Sequence, residues 1–166
     1  MNGANQVHLT GTYEHTIDAK NRLAIPADIR SQWTELTCGT AWYALPWPTR
    51  AVRLYTQRAF DTRAEQYRNS LTPSPQQAEL QVRLFSMARR LEIDSAGRIR
   101  LPEDHLRLTG LPREVVLLGA GEWLEVRPRD AWRDALDDVF HDLPDLMARA
   151  EAPPPPALHI AHPDAS

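Results

Sequence analysis

The 166-residue sequence predicts an α+β fold, rich in β-structure, in which one small unit occurs twice and helices flank both copies. The repetition is the first observation: DAKNR at residues 18 to 22 returns as DSAGR at 94 to 98. At the same offset of 76, Leu23 matches Ile99, Ile25 matches Leu101 and Pro26 matches Pro102, and coincidences at one offset mark a duplicated unit. The second observation is the alternation in RLAIP and RIRLP after each phrase, the period of a half-buried strand. The third is that each copy then carries two more strand-like runs joined by turn residues, AWYAL with AVRLYT and EVVLLG with WLEVR.

Each phrase reads as the turn of a β-hairpin. Ile17 or Ile93 ends the incoming strand, and the fourth position is Asn21 or Gly97, the residue types that most readily take positive φ. Asp18 and Asp94 can accept hydrogen bonds from N–H groups of their own turns, so Arg22 and Arg98 leave in a fixed direction. Alternation buries Leu23, Ile25, Ile99 and Leu101 and turns Arg22, Arg98 and Arg100 to the exposed face. Pro26 and Pro102 are expected at the first position of short helices, PADIRSQW and PEDHLRLTG. PWPTR and AGE then join the later strand pairs, and a helix follows each pair, over RAFDTRAEQYRNSL and RDAWRDALDDVFHDL. In the second helix Trp132, Ala135, Leu136, Val139, Phe140 and Leu143 recur at helical spacing, which predicts a core or subunit-contact face.

The stretch LTPSPQ, residues 71 to 76, bounds the two copies, and QAELQVRLFSMA leads as a helix into the second. The expected organisation is an N-terminal arm over 1–10 and a first unit over 11–76. A linking helix, second unit and C-terminal helix cover 77–150, and a Pro-rich mobile tail covers 151–166. The five tryptophans, Trp33, Trp42, Trp47, Trp123 and Trp132, are expected in the core or at interfaces.

A single cysteine, Cys38, excludes an internal disulfide framework and reads as a small buried hydrophobe, suited to a reducing cytoplasm. The first residues lack the charged start and apolar run of a signal peptide, so a soluble, cytoplasmic protein without membrane partners is expected. The net charge of −3 is unevenly placed: residues 1 to 100 hold 13 Lys or Arg against 9 Asp or Glu, and residues 101 to 166 hold 6 against 13. Only Lys20 is a lysine, and such arginine usage reflects genome composition as readily as phosphate or guanine recognition.

A pre-shaped loop bearing Lys20, Arg22, Arg98 and Arg100 could meet phosphates or a guanine edge. The alternative is an Asp to Arg pair that only braces the turn, and spacing leaves the two readings level. An enzyme would have to use Asp18 and Asp94 as paired acids, yet an arginine four residues on keeps each ionised rather than raising its pKa. No nucleophile motif, phosphate-binding Gly-rich loop or metal spacing accompanies them, so no catalytic residue, cofactor, metal or small-molecule substrate is expected. His15 and His105 are read as surface or turn residues, and His159 with His162 is too isolated for a metal site.

These residues resemble the MraZ family of bacterial transcriptional regulators, encoded at the head of the division and cell-wall gene cluster. The resemblance spans residues 11 to about 140 and rests on GTYEHTIDAKNRLAIPADIR, RLFSMARRLEIDSAGRIRLPEDHLR, EVVLLGAGEWLEV and AW. It implies two AbrB-like swapped-hairpin units in one chain, assembled into a ring-shaped homo-oligomer that binds short direct repeats in double-stranded promoter DNA. It implies a nucleoid-associated protein whose motif residues fall on Asp18 and Arg22 and on Asp94 and Arg98, with Lys20, Asn21 and Arg100 beside them. Asn21 departs from the usual glycine, and asparagine tolerates the same backbone region. A ring-forming scaffold or protein-interaction module that does not read DNA is the competing expectation.

Overall fold

Residues 7–68 and 70–152 are described by the structure, a computed structural model; His159 and His162 lie outside this range. The elements run β1 (Thr12–Thr16), β2 (Arg22–Ala24), α1 (Ala27–Ser31), α2 (Glu35–Cys38), β3 (Trp42–Trp47), β4 (Ala51–Thr56) and α3 (Gln57–Tyr67). The second copy follows as α4 (Pro75–Met87), β5 (Arg89–Leu91), β6 (Arg98–Arg100), α5 (Glu103–Thr109), β7 (Glu114–Gly119), β8 (Trp123–Pro128) and α6 (Arg129–Glu151). Helix and strand thus mix as expected, with every strand pair antiparallel.

A six-stranded sheet has the order β1-β7-β8-β4-β3-β5, and β2 pairs with β6 in a second sheet. Reading that order backwards exchanges each strand with its counterpart from the other copy, so the fold has a pseudo-twofold axis. The axis passes through the short ladder, where Leu23 faces Ile99, the pair related by the offset of 76. The flanking bonds obey the same symmetry: Ile25 N donates to Gly97 O at 2.9 Å and Leu101 N to Asn21 O at 2.8 Å.

This topology corrects the simple hairpin. The strands on either side of each turn do not form a ladder with each other: β1 goes to β7, β5 goes to β3, and β2 and β6 find one another. Neither copy buries its apolar face alone. Leu23, Ile25, Ile99 and Leu101 meet in one core with Leu9, Trp42, Leu54, Val115, Leu117 and Leu124, all essentially inaccessible. Leu9 stands in the expected N-terminal arm, and its backbone bridges to Gly121.

Several local expectations are revised for identifiable reasons. Pro26 and Pro102 stand at the N-caps of α1 and α5 rather than at the first helical position, since their ψ of 139° is extended. Pro75 instead opens α4, with Ser74 and Gln77 forming a reciprocal capping box. Strand β3 continues through Pro46 to Trp47 because β5 covers only Trp42 to Ala44; beyond it β3 is an edge, where a missing N–H costs nothing. Helix α6 runs past Leu143 and Pro144 to Glu151.

The apolar stripe of α6 is not core. Leu136, Val139, Phe140 and Leu143 are exposed, which leaves only the subunit-contact half of that expectation. Trp42 is buried with Trp33 against it, while the Arg53 guanidinium lies over Trp47 and Trp123, 3.8 and 4.9 Å from the ring centres. Cys38 is buried. No helix among the described residues is long and apolar enough to cross a membrane.

Neither histidine beside the motifs stands in a turn, and one of them is not at the surface. His15 is half-buried in β1, and His105 is fully buried in α5, its Nε2 donating to Met87 O at 2.7 Å and so tying the end of α4 down. Burial holds the His105 pKa below the usual histidine range, outweighing the Met87 carbonyl and Asp104, which favour the cation. A base with a depressed folded pKa contributes stability above its unfolded value of about 6.5 and loses it as pH falls towards the folded value. Thermal stability is therefore expected to drop between pH 7 and 5, and His105→Gln should flatten that drop; an unchanged profile would remove His105 from the acid response.

Candidate nucleic-acid interface

Both repeated turns are built by the same bonds. In the first, Asp18 N donates to Arg22 O at 3.0 Å, closing the turn, and Asn21 N donates to Asp18 O at 3.0 Å. The Asp18 carboxylate divides its oxygens: Oδ1 accepts from Lys20 N and Arg22 N at 2.9 and 2.8 Å, and Oδ2 accepts from Arg22 Nε at 2.7 Å. In the second turn Asp94 Oδ1 accepts from Ala96 N and Arg98 N at 2.9 and 3.0 Å, and Oδ2 from Arg98 Nε at 3.0 Å. Asn21 and Gly97 take φ of 60° and 76°, the positive values expected of them.

The carboxylates stay ionised. The Arg22 backbone N–H is the largest influence on Asp18 and, with the Arg22 side chain and Lys20 N–H, holds its pKa at about 2. Asp94 is lowered in the same way, chiefly by the Arg98 backbone. Bracing and recognition are therefore compatible. Each aspartate engages only Nε, so among the described residues the two terminal nitrogens of Arg22 and of Arg98 make no hydrogen bond and remain available as a planar fork.

Alternation places Arg22, Ala24, Arg98 and Arg100 on one face of the β2–β6 ladder and Leu23 and Ile99 on the other. Arg100 is exposed, whereas Arg22 and Arg98 are half-buried by their aspartates, less open than the alternation alone implied. Arg22 lies directly opposite Arg100, a cross-strand meeting of like charges that an anion would relieve. The two turns abut opposite ends of the ladder, so Asp18, Lys20, Asn21, Arg22 and Arg100 gather at one end and Asp94 and Arg98 at the other.

Distant residues brace the turns, and the local pattern carries no sign of them. Arg113 Nη1 donates to Asp18 O at 2.7 Å, and Arg30 Nε donates to Ile25 O at 3.0 Å while its guanidinium packs over Gly97. A Cβ on Gly97 would sit 2.5 Å from Arg30 Nη1, whereas Asn21 borders an open cavity beside Leu106 and Leu111. Gly97→Ala should cost roughly 1–2 kcal/mol through the left-handed backbone alone, with Asn21→Gly nearly neutral; denaturant unfolding of the two variants would show whether the copies differ in this sense.

The chain is similar in sequence to known proteins. Residues 84–150 match the family described as "MraZ protein, putative antitoxin-like". Similar proteins include a transcriptional regulator MraZ of Nitrosomonas europaea, 32% identical over 76% of this chain and 85% of that one. Others named in the same way are from Neisseria meningitidis serogroup C, 32% identical over 83% and 91%, and from Mycoplasmoides gallisepticum, 29% identical over 82% and 95%. With a relative 32% identical over 83% of this chain and 91% of its own length, the chain belongs to the MraZ family.

Proposed function

We propose that the chain is a sequence-specific DNA-binding regulator that reads short direct promoter repeats of the division and cell-wall gene cluster, its own promoter included. Several first-copy turns on one ring-shaped homo-oligomer would engage several repeats at once, in the cytoplasm at the nucleoid. The observation that carries the reading is the turn holding Arg22: Asp18 fixes the guanidinium through Nε, and the two outer nitrogens keep the spacing that suits a phosphate or the O6 and N7 edge of guanine. The bond from Asp18 aims the arginine before any DNA arrives, so little side-chain entropy remains to be lost on binding. A single turn offers few contacts, and assembly would add effective concentration worth roughly 10²- to 10⁴-fold.

Relatives named as transcriptional regulators support the reading, and the exposed apolar stripe on α6 suits a subunit contact. Titrating the protein against DNA from upstream of its own gene and a scrambled duplex, over a salt series, tests it. A preference for the upstream DNA with a steep salt slope is expected. Equal, salt-insensitive signals on both would leave the scaffold reading standing.

A further inference from the structure

One end of the central ladder opens into a cleft of about 490 Å³ lined by four cations, Lys20, Arg89, Arg90 and Arg100, against a single lining carboxylate, Glu103. The first copy supplies only Lys20; the second supplies the three arginines, from the edge strand β5 and from β6. Arg89 pairs with Asp104 at 3.1 Å and Arg90 with Glu92 at 2.8 Å, on exposed side chains where ion pairs are weak. Lys20 and Arg100 have no acidic partner within ion-pair distance among the described residues.

The pseudo-twofold axis supplies an internal control. At the offset of 76 the residues equivalent to Lys20, Arg100, Arg89 and Arg90 are Ala96, Ala24, Tyr13 and Glu14. Every cation lining the cleft thus has a neutral or acidic counterpart at the other end, whereas Arg22 is matched by Arg98. The fold does not require the charges, since the other end of the same ladder forms without them. Arg100, opposite Arg22, and Lys20 beside them have no acidic partner of their own, and their mutual repulsion is a cost that a bound polyanion offsets.

We propose that this cleft is a binding site for the phosphate backbone of duplex DNA, with Arg90, Arg100 and Lys20 as its principal contacts, and that it makes the first turn the DNA-anchoring end of the chain. The proposal rests on the reading of Arg22 given above and deepens it. Lys20 and Asn21 belong to both the turn and the cleft, so a duplex whose groove meets Arg22 would lay its adjacent strand along β5 and β6. These contacts position the protein and carry no sequence information of their own.

The test is a salt titration of wild type, R90Q/R100Q and Arg22→Ala on the upstream and scrambled duplexes. Losing two phosphate contacts should make the slope of log K against log salt shallower by about 2 and weaken binding about five- to tenfold per contact near 0.1 M salt. Both duplexes should suffer alike, leaving the preference and the thermal midpoint unchanged. Lys20→Gln, at an exposed side chain, carries the same test with a slope change of about 1 should the double variant fold poorly. Lys20 is also the only lysine, so the upstream duplex should protect it from an amine-acetylating reagent.

If R90Q/R100Q binds with wild-type affinity and slope while Arg22→Ala loses the preference, the cleft proposal falls and the turn reading stands. A loss of preference in R90Q/R100Q would mean base reading and would overturn the phosphate assignment. Saturable displacement of DNA by inorganic phosphate beyond that of chloride at equal ionic strength, or tighter binding of single-stranded RNA, would overturn the duplex assignment. No binding of wild type to either duplex would overturn both readings.

Discussion

Replacing Arg22 with alanine is expected to weaken binding to the upstream DNA by about 10²- to 10⁴-fold, the largest functional effect of any single change in this chain. One bidentate contact is worth roughly 1–3 kcal/mol of discrimination, and where two turns of an assembly engage together the losses multiply. A second effect runs in the same direction. The Asp18 carboxylate owes its low pKa first to the Arg22 backbone N–H, which alanine retains, so it stays ionised near neutral pH and faces the DNA with its partner gone. Adding Asp18→Asn to Arg22→Ala should therefore restore part of the non-specific binding but none of the preference. Arg22→Lys separates charge from geometry: a lysine keeps the phosphate attraction and loses the fork. Binding titrations, with sedimentation to show that the assembly state is unchanged, would decide it. Wild-type affinity in Arg22→Ala would sink the reading.

The largest structural effect is expected at the centre of the swap. Leu23 and Ile99 are wholly inaccessible and face each other across the pseudo-twofold axis. Truncating either to alanine removes apolar contact and leaves a cavity that two short strands closed at both ends cannot collapse around, at a cost of about 2–5 kcal/mol. Because each copy supplies one side of the ladder, the damage is shared. Unfolding of either variant should remain one cooperative transition at a lower midpoint, with near- and far-ultraviolet circular dichroism coinciding. Leu36→Ala, at an exposed position, should stay within about 0.5 kcal/mol of wild type. Two resolved transitions in Leu23→Ala would show the copies folding independently, against the interlocked topology.

Much of the fold was legible because the turn chemistry is local. Asp18 and Asp94 bind N–H groups within four residues, Asn21 and Gly97 need only their own backbone freedom, and the offset of 76 survives in residues that pack about the symmetry axis. Pairing was harder to read. An alternating strand declares which face is buried but not its partner, so a simple hairpin and a swapped one look alike until the ladder is seen. The burial of His105 is hidden for a similar reason: nothing near it in sequence announces that the Met87 carbonyl, 18 residues away, will accept a hydrogen bond from its Nε2–H. The α6 stripe has the periodicity of a buried face yet is exposed, because periodicity records that a surface wants covering without naming the cover. Arg89 and Arg90 lay inside a stretch recognised for other residues. Only folding β5 back beside Lys20 and Arg100 makes them a site, and no spacing rule spans two copies of a repeat.

The unequal ends of the ladder bear on how such a molecule lies along DNA. A true homodimer joined through the same strands would present two identical reading ends, and its symmetry would call for inverted half-sites. Joining the two copies in one chain released each from the obligation to match the other, and residues 20, 89, 90 and 100 have diverged from 96, 13, 14 and 24 in charge. The chain thereby gained a head and a tail. Set side by side in one orientation, as in the proposed ring, objects with a head and a tail would match a tandem series rather than a palindrome.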